Sequence, residues 1–207
     1  DVCSSDLEPL ERVRLSTEPA SMSEQVGTSR YEVRPFEPLR SAYSDYGVTY
    51  SADGKTLIFG SNRRRFGEKK DDSPVTGEPL GALYSLSQRA DGSWAVRPDS
   101  LKGLNRPKVE LGAPSLSPDG RRLYYSMVSF DRGRTNIPKI YVSEQDERGE
   151  WREGRELRLF TDSAILVAHP SVSPSRHVLF FVSDAPGGRG GKDLYQARLD
   201  GGHVGEP

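Results

Sequence analysis

The sequence has almost no cysteine. Of its 207 residues only Cys3 is one, and it lies in the opening heptapeptide DVCSSDL. Residues 1–7 read as a translated sequencing adapter (GAC GTG TGC TCT TCC GAT CT) rather than as a Ser/Asp-rich terminus, and they are set aside from fold reasoning. From residue 8 onward there is no disulfide, thiolate or cysteine-metal chemistry to consider. The native N-terminus is then expected to be missing, so the lack of a leader says nothing. An excess of one charge is also lacking: 29 basic residues stand against 30 acidic ones. That balance gives no global reason to expect nucleic acid or an anionic membrane as partner. No apolar run reaches the length of about 18 residues that a membrane-spanning helix needs. Amphipathic helical windows are scarce, because proline or glycine interrupts almost every one.

Turn chemistry is abundant instead. The 21 glycines and 15 prolines make up about a sixth of the chain, above the usual share of roughly 12%. Such a composition suits many short strands joined by turns. Three stretches align: VTYSADGKTLIFGS from Val48, PSLSPDGRRLYYSM from Pro114 and PSVSPSRHVLFFVS from Pro170. Each is a strand, a tight turn and a strongly apolar strand. Asp53-Gly54 and Asp119-Gly120 are hairpin pairs, since both residue types tolerate positive φ. The third copy has Ser175-Arg176 there, so a looser turn is expected. A third strand follows in each copy (ALYSLS, KIYVSE, DLYQAR), aligning Tyr84, Tyr141 and Tyr195 at spacings of 57 and 54 residues. A fourth element, DGSWAVRP, RGEWREGR and DGGHVGEP, aligns Trp94, Trp151 and His203. YEVRP at residues 31–35 matches WAVRP at 94–98 and reads as the last strand of a preceding unit.

The second strands carry Leu57-Ile58-Phe59, Leu123-Tyr124-Tyr125 and Leu179-Phe180-Phe181. Side chains alternate faces along a strand, so consecutive apolar residues mean that both faces are covered. Four-stranded sheets covered by copies of themselves are β-propeller blades. The period is too short for an immunoglobulin-like sandwich and too long for a β-helix coil. The fold class is therefore all-β: a β-propeller fragment of three four-stranded antiparallel blades plus the last strand of a preceding blade. Residues 8–40 are assigned to that remnant and a linker, 41–107 to blade 1, 108–164 to blade 2 and 165–207 to a truncated blade 3.

SPDG-x-x-Leu-Tyr-Tyr and HPSVSP…LFFVSDAPGGRGGKDLYQARLDGG resemble the WD-like propeller repeats of the TolB type. They resemble still more the propellers of OmpA-family cell-envelope proteins. The likeness covers about residues 28–207, and its most specific part is the run from Ser183-Asp184 through Gly187-Gly188-Arg189-Gly190-Gly191-Lys192 to Tyr195. It implies a periplasmic location, or the periplasmic face of the outer membrane, and an envelope protein or cell-wall component as partner.

Loops one-to-two and three-to-four share one face of a blade and are short turns. Loops two-to-three share the other face and differ from copy to copy: residues 62–81, 128–138 and 184–192. Variable insertions on one face of a repeat array often form its binding surface. Arg63, Arg64, Arg65, Lys69 and Lys70 lie in the first, Arg132 and Arg134 in the second, Arg189 and Lys192 in the third. They would converge on an acidic ligand, or else form solvated loops whose charge is compensated locally, as Asp71-Asp72 beside Lys69-Lys70 suggests. Sharper motifs fail. Pro186 and Asp193 break the phosphate-loop pattern around Gly191-Lys192, and no G-x-S-x-G elbow occurs. His169, His177 and His203 lack metal-ligand spacing, and no carboxylate pair is placed for acid–base work. No catalytic residue, metal or cofactor is assigned. The function read from the sequence is a non-enzymatic protein- or ligand-binding scaffold of the bacterial cell envelope. The alternative is the gating propeller of a prolyl-oligopeptidase-like serine peptidase.

Overall fold

A computed structural model describes residues 33–64, 72–131, 134–200 and 203–204, with only the backbone described at Asp131, Arg134, Thr135, His203 and Val204. Residues 33–36 form no regular element. Of the remnant strand expected at residues 31–35, residues 33–35 form no regular element, and residues 31–32 lie outside the described residues.

From Glu37 onward three antiparallel sheets follow in chain order. The first holds β1 (Asp45–Tyr50), β2 (Thr56–Ser61), β3 (Ala82–Ser87) and β4 (Asp99–Ser100). The second holds β5 (Val109–Leu116), β6 (Arg122–Asp131), β8 (Lys139–Glu144) and β9 (Arg155–Glu156), with a short β7 (Arg134–Thr135) folded back on the end of β6. The third holds β10 (Val167–Val172), β11 (Val178–Ser183), β12 (Asp193–Asp200) and β13 (His203–Val204). They are blades of a β-propeller, the architecture the repeat requires.

The apolar second strands hold the blades together. Leu123 and Tyr125 pack with Ile58, Leu83, Leu104 and Leu111 between blades 1 and 2. Tyr124 lies between them in sequence and points the other way, into a cluster with Ile140, Val142, Leu179 and Phe181 between blades 2 and 3. Each such side chain is worth roughly 1.5–3 kcal/mol when fully buried. One cross-strand aromatic pair recurs in every blade: Phe59 on Tyr84, Tyr125 on Tyr141 and Phe181 on Tyr195, stacked at centroid distances of 6.1, 6.1 and 6.0 Å. Tyr46 wedges into the first interface, where a Cβ on Gly81 would collide with its hydroxyl. Burial there, with Glu110 and Asp45 nearby, pushes the Tyr46 phenol up to about 12.

The innermost strands run side by side. Each has a bulge at the same place, with Gly47, Ala113 and His169 at φ 61°, 46° and 53°. Residues 47–49, 113–115 and 169–171 line a common concavity of about 290 Å³ on the side where the three blades converge. Two hydroxyls stitch blade to blade across it. The Leu116 N–H donates to Thr49 Oγ1 at 3.2 Å, and the Val172 N–H donates to Ser115 Oγ at 3.0 Å.

The one-to-two turns close on themselves. The Ser51 hydroxyl donates to Asp53 Oδ1 and accepts the Thr56 N–H, while the Lys55 N–H also donates to Asp53. Ser117, Asp119, Arg121 and Arg122 repeat that pattern. The third turn corrects the expectation of looseness. Ser173 accepts the Val178 N–H, and the Arg176 N–H reaches the Ser173 carbonyl, as those of Gly54 and Gly120 reach Ser51 and Ser117. Arg176 takes φ 64° in the place of the glycines. Its guanidinium pairs with Asp119 of the preceding blade at 2.9 Å, which offsets part of the backbone cost.

The fourth strands are also corrected. Trp94 and Trp151 make single bridges to Gln88 and Gln145, and the strands themselves form later, at β4 and β9. In blade 3 the residue opposite the equivalent Leu199 is Val204, not His203, because the connecting turn is shorter than the five-residue loops before Trp94 and Trp151. The second two-to-three loop begins later than expected as well. Pairing with β7 carries β6 through to Asp131.

Arg176 gives a direct test. Left-handed backbone costs an L-residue roughly 1–2 kcal/mol, and an exposed ion pair returns at most about 1 kcal/mol. Denaturant melts should find Arg176→Gly more stable than Arg176→Ala by about 1 kcal/mol, since alanine keeps the strain and loses the pair. Asp119 gives a second. Partial burial raises its pKa, but the Ser117 hydroxyl, the Arg121 N–H and Arg176 outweigh that and hold the carboxyl below its usual range. Its contribution is complete above the unfolded pKa near ~3.9 and is lost as pH falls through the lower folded value. Asp119→Asn should therefore flatten the acid limb of stability below about pH 4, read as denaturation midpoint against pH.

Candidate functional site

The face carrying the two-to-three loops is irregular, and of the nine basic residues named from the sequence the side chains of Arg63, Arg64, Arg189 and Lys192 are described. Arg63 turns inward. Its guanidinium pairs with Asp45 at 2.7 Å, donates to Ser61 Oγ at 3.0 Å and lies over the Phe59 and Tyr84 rings. Its side chain is only 14% exposed. Arg64 is bound to Asp72. Arg65, Lys69, Lys70 and Arg132 lie outside the described residues, and Arg134 is placed by its backbone alone, in β7. Arg189 and Lys192 are exposed.

The loop bearing Arg189 and Lys192 is built by Asp193. Its Oδ2 accepts the N–H groups of Arg189 and Gly190, both at 2.9 Å. A Cβ on Gly188 would strike that carboxylate, so the glycine is needed for the close approach. The Tyr195 hydroxyl donates to the Ala185 carbonyl at 2.5 Å and pins the start of the loop. In blade 1 the aligned Tyr84 does the same to the Arg63 carbonyl at 2.8 Å.

Blade 2 departs from this plan. Its β6–β7 hairpin occupies the corresponding stretch, and Tyr141 lines a cleft of about 380 Å³ with Met127, Asn136, Ile137, Lys139 and Glu156. Lys139 donates to the Ser163 and Ile165 carbonyls at 2.8 and 2.5 Å, tying β8 to the link that leads into blade 3. Arg106 sits beside the Met127 sulfur and pairs with Glu153 at 2.5 Å. Burial, then the Glu156 carboxylate, raises the Tyr141 phenol. The cleft therefore offers both signs of charge, a neutral phenol and thioether surface. Sequence reasoning missed it. The signal was present in the unequal loop lengths, but no motif marks Lys139, Tyr141 or Glu156. Among the described residues no group of three or more His, Cys, Asp or Glu side chains forms a metal site. Among them, too, no helix is long and apolar enough to cross a membrane.

No family model matches the sequence, and no curated protein matches it. Solved structures do match. TolB from Acinetobacter baumannii gives a TM-score of 0.44 at 20% identity, covering 82% of this chain and 33% of its own. The Pseudomonas aeruginosa periplasmic gluconolactonase gives 0.45 at 19%, covering 78% and 42%. A Mycobacterium tuberculosis puromycin-hydrolyzing peptidase gives 0.46 at 17%, covering 79% and 23%. The chain thus spans a third of the TolB structure and less than half of either enzyme. At this level of likeness no activity passes from them to this chain. The blades, their aromatic pairs and their shared axis are what establish the fold.

The inward course of Arg63 separates structure from binding. Arg63→Ala removes a largely buried charge partner and should destabilise by about 2–3 kcal/mol. Arg189→Ala should change stability by less than about 0.5 kcal/mol. Denaturant melts of the two variants check both values.

Proposed function

We propose that the chain is a non-enzymatic binding scaffold of the bacterial cell envelope, working in the periplasm or on the periplasmic face of the outer membrane. Its loop-rich face holds an envelope protein or a cell-wall component. The observation that carries this reading is the difference between the two faces. On one, the Ser51–Asp53 and Ser117–Asp119 turns spend their hydroxyls, carboxylates and amides on each other, leaving few groups for a ligand. On the other, the repeat is broken three different ways, with a cleft at Tyr141 and a carboxylate-organised loop that presents Arg189 and Lys192. The resemblance of the Gly-rich run to OmpA-family propellers supports the envelope setting.

The test is capture by the immobilised protein from separate envelope and cytosolic fractions, together with co-sedimentation on purified peptidoglycan sacculi. An envelope component should be held, and the double variant Arg189→Glu/Lys192→Glu should weaken its retention several-fold. Arg121→Glu, on the opposite face, should leave it unchanged. Recovery of cytosolic partners alone, or equal loss in both variants, overturns the reading. Specific capture of a serine hydrolase domain would favour the peptidase-propeller alternative.

A further inference from the structure

The tyrosine on the third strand of each blade has a fixed structural task, and in blade 2 it is released from it. Tyr84, Tyr141 and Tyr195 each stack on an aromatic of the second strand: Phe59, Tyr125 and Phe181. Four residues after that aromatic stand Arg63, Ser129 and Ala185. The Tyr84 hydroxyl donates to the Arg63 carbonyl at 2.8 Å, and the Tyr195 hydroxyl donates to the Ala185 carbonyl at 2.5 Å. In blade 2 the corresponding Ser129 carbonyl accepts the Asn136 N–H at 2.9 Å, because the β6–β7 hairpin brings Asn136 back alongside β6. The Tyr141 hydroxyl is left with no hydrogen-bond partner among the described residues.

A second departure from the repeat stands directly across from it. Tyr84 faces Ser100 on the fourth strand, and the Ser100 hydroxyl accepts the Asn105 side-chain amide at 2.7 Å. Tyr141 faces Glu156, whose carboxylate has no hydrogen bond or ion pair among the described residues. Residues opposite one another, or two apart on one strand, share a face of the sheet. Lys139, two before Tyr141 and opposite Met127, is therefore on that face with Tyr141 and Glu156. Its ammonium carries three donors. The Ser163 and Ile165 carbonyls take two, and one remains for the cleft. Burial, then Glu156, raises the Tyr141 phenol, so it stays protonated and donates as well. Arg106, beside Met127, is already paired with Glu153. Every residue lining the cleft lies between 127 and 163, with a blade on either side, so neither end of the sequence shapes it.

We propose that this cleft binds a small zwitterion of dipeptide size, a ligand class that rests on the reading of the loop-rich face as the binding surface. Glu156 accepts the ligand's ammonium. The Tyr141 hydroxyl and the remaining Lys139 N–H donate to its carboxylate, and its side chain lies against Met127 and Ile137. The Glu156 and Lys139 charges are opposite and equal. A purely anionic or purely cationic ligand would leave one of them without a counter-charge, whereas a zwitterion answers both. The volume of about 380 Å³ falls within the roughly 300–1,000 Å³ of small-ligand sites and admits a dipeptide.

Calorimetric titration of the protein with L-alanyl-L-leucine, its N-acetyl derivative and its C-terminal amide tests this. The free dipeptide should bind with a Kd of about 1 mM or tighter, and blocking either end should weaken it by about tenfold or more. Glu156→Gln should weaken the free dipeptide by a similar factor and abolish its advantage over the N-acetyl form, while its advantage over the amide remains. Tyr141→Phe should weaken binding several-fold with an unchanged thermal midpoint. Tyr84→Phe, which loses a hydrogen bond inside the fold, should lower that midpoint. The titration needs no envelope component, so failure of the capture experiment and failure of this one are separate results. No binding of any of the three compounds, equal binding of all three, unaltered affinity in Glu156→Gln, or a midpoint loss in Tyr141→Phe equal to that in Tyr84→Phe would each overturn the proposal.

Discussion

The structure depends on apolar side chains that are adjacent in sequence yet buried on opposite sides of a sheet. Leu123 and Tyr125 bury against blade 1 while Tyr124 buries against blade 3. A single sheet cannot satisfy both, so each blade requires a neighbour on either flank. The aromatic pairs Phe59–Tyr84, Tyr125–Tyr141 and Phe181–Tyr195 set the spacing within each blade. The inner-strand hydroxyls Thr49 and Ser115 set the register between blades by giving the outward-pointing amides of Leu116 and Val172 a partner. An unpaired amide near the axis would cost about 1–3 kcal/mol, so one hydroxyl per blade matters as much as an apolar side chain.

That arrangement divides the labour between the two faces. The Ser-x-Asp-Gly turns are closed hydrogen-bond circuits, and Asp53 is held below the usual carboxylate range by the Ser51 hydroxyl and the Lys55 N–H. They keep hairpin geometry constant from blade to blade. The other face is free to vary because its loops leave the sheets after the core strands are already paired. Blade 2 uses that freedom to extend β6 into a hairpin with β7, and the cleft at Tyr141 follows from it.

Much of the fold was legible beforehand. The period and the aligned tyrosines reappear as blades and stacked pairs, and the apolar triplets of the first two blades are buried on both faces, whereas in the third Leu179 and Phe181 are buried and Phe180 is 44% exposed. Positions set by register were harder. Trp94 and Trp151 looked like strand residues because they repeat, yet they form single bridges at the mouths of five-residue loops, and a shorter turn puts Val204 rather than His203 in their place in blade 3. Ser175-Arg176 looked like a looser turn because Asp-Gly was missing. A long cation reaching Asp119 supports the same conformation, and sequence does not reveal partners 57 residues apart. The candidate site was the least legible part. Arg63 reads as one of three consecutive surface arginines, and only the fold shows Asp45, Phe59 and Tyr84 closing around it.

The sequence alone determined the strands, their turns and the need for neighbours on both sides, because these follow from local backbone preference and from the two-residue periodicity of side chains. It also determined which face repeats and which varies. Only the tertiary structure decided which charges are spent internally and where the cleft opens. Those outcomes depend on distances between residues far apart in the chain, and pairing register and loop length fix such distances without leaving a local trace in composition or motif.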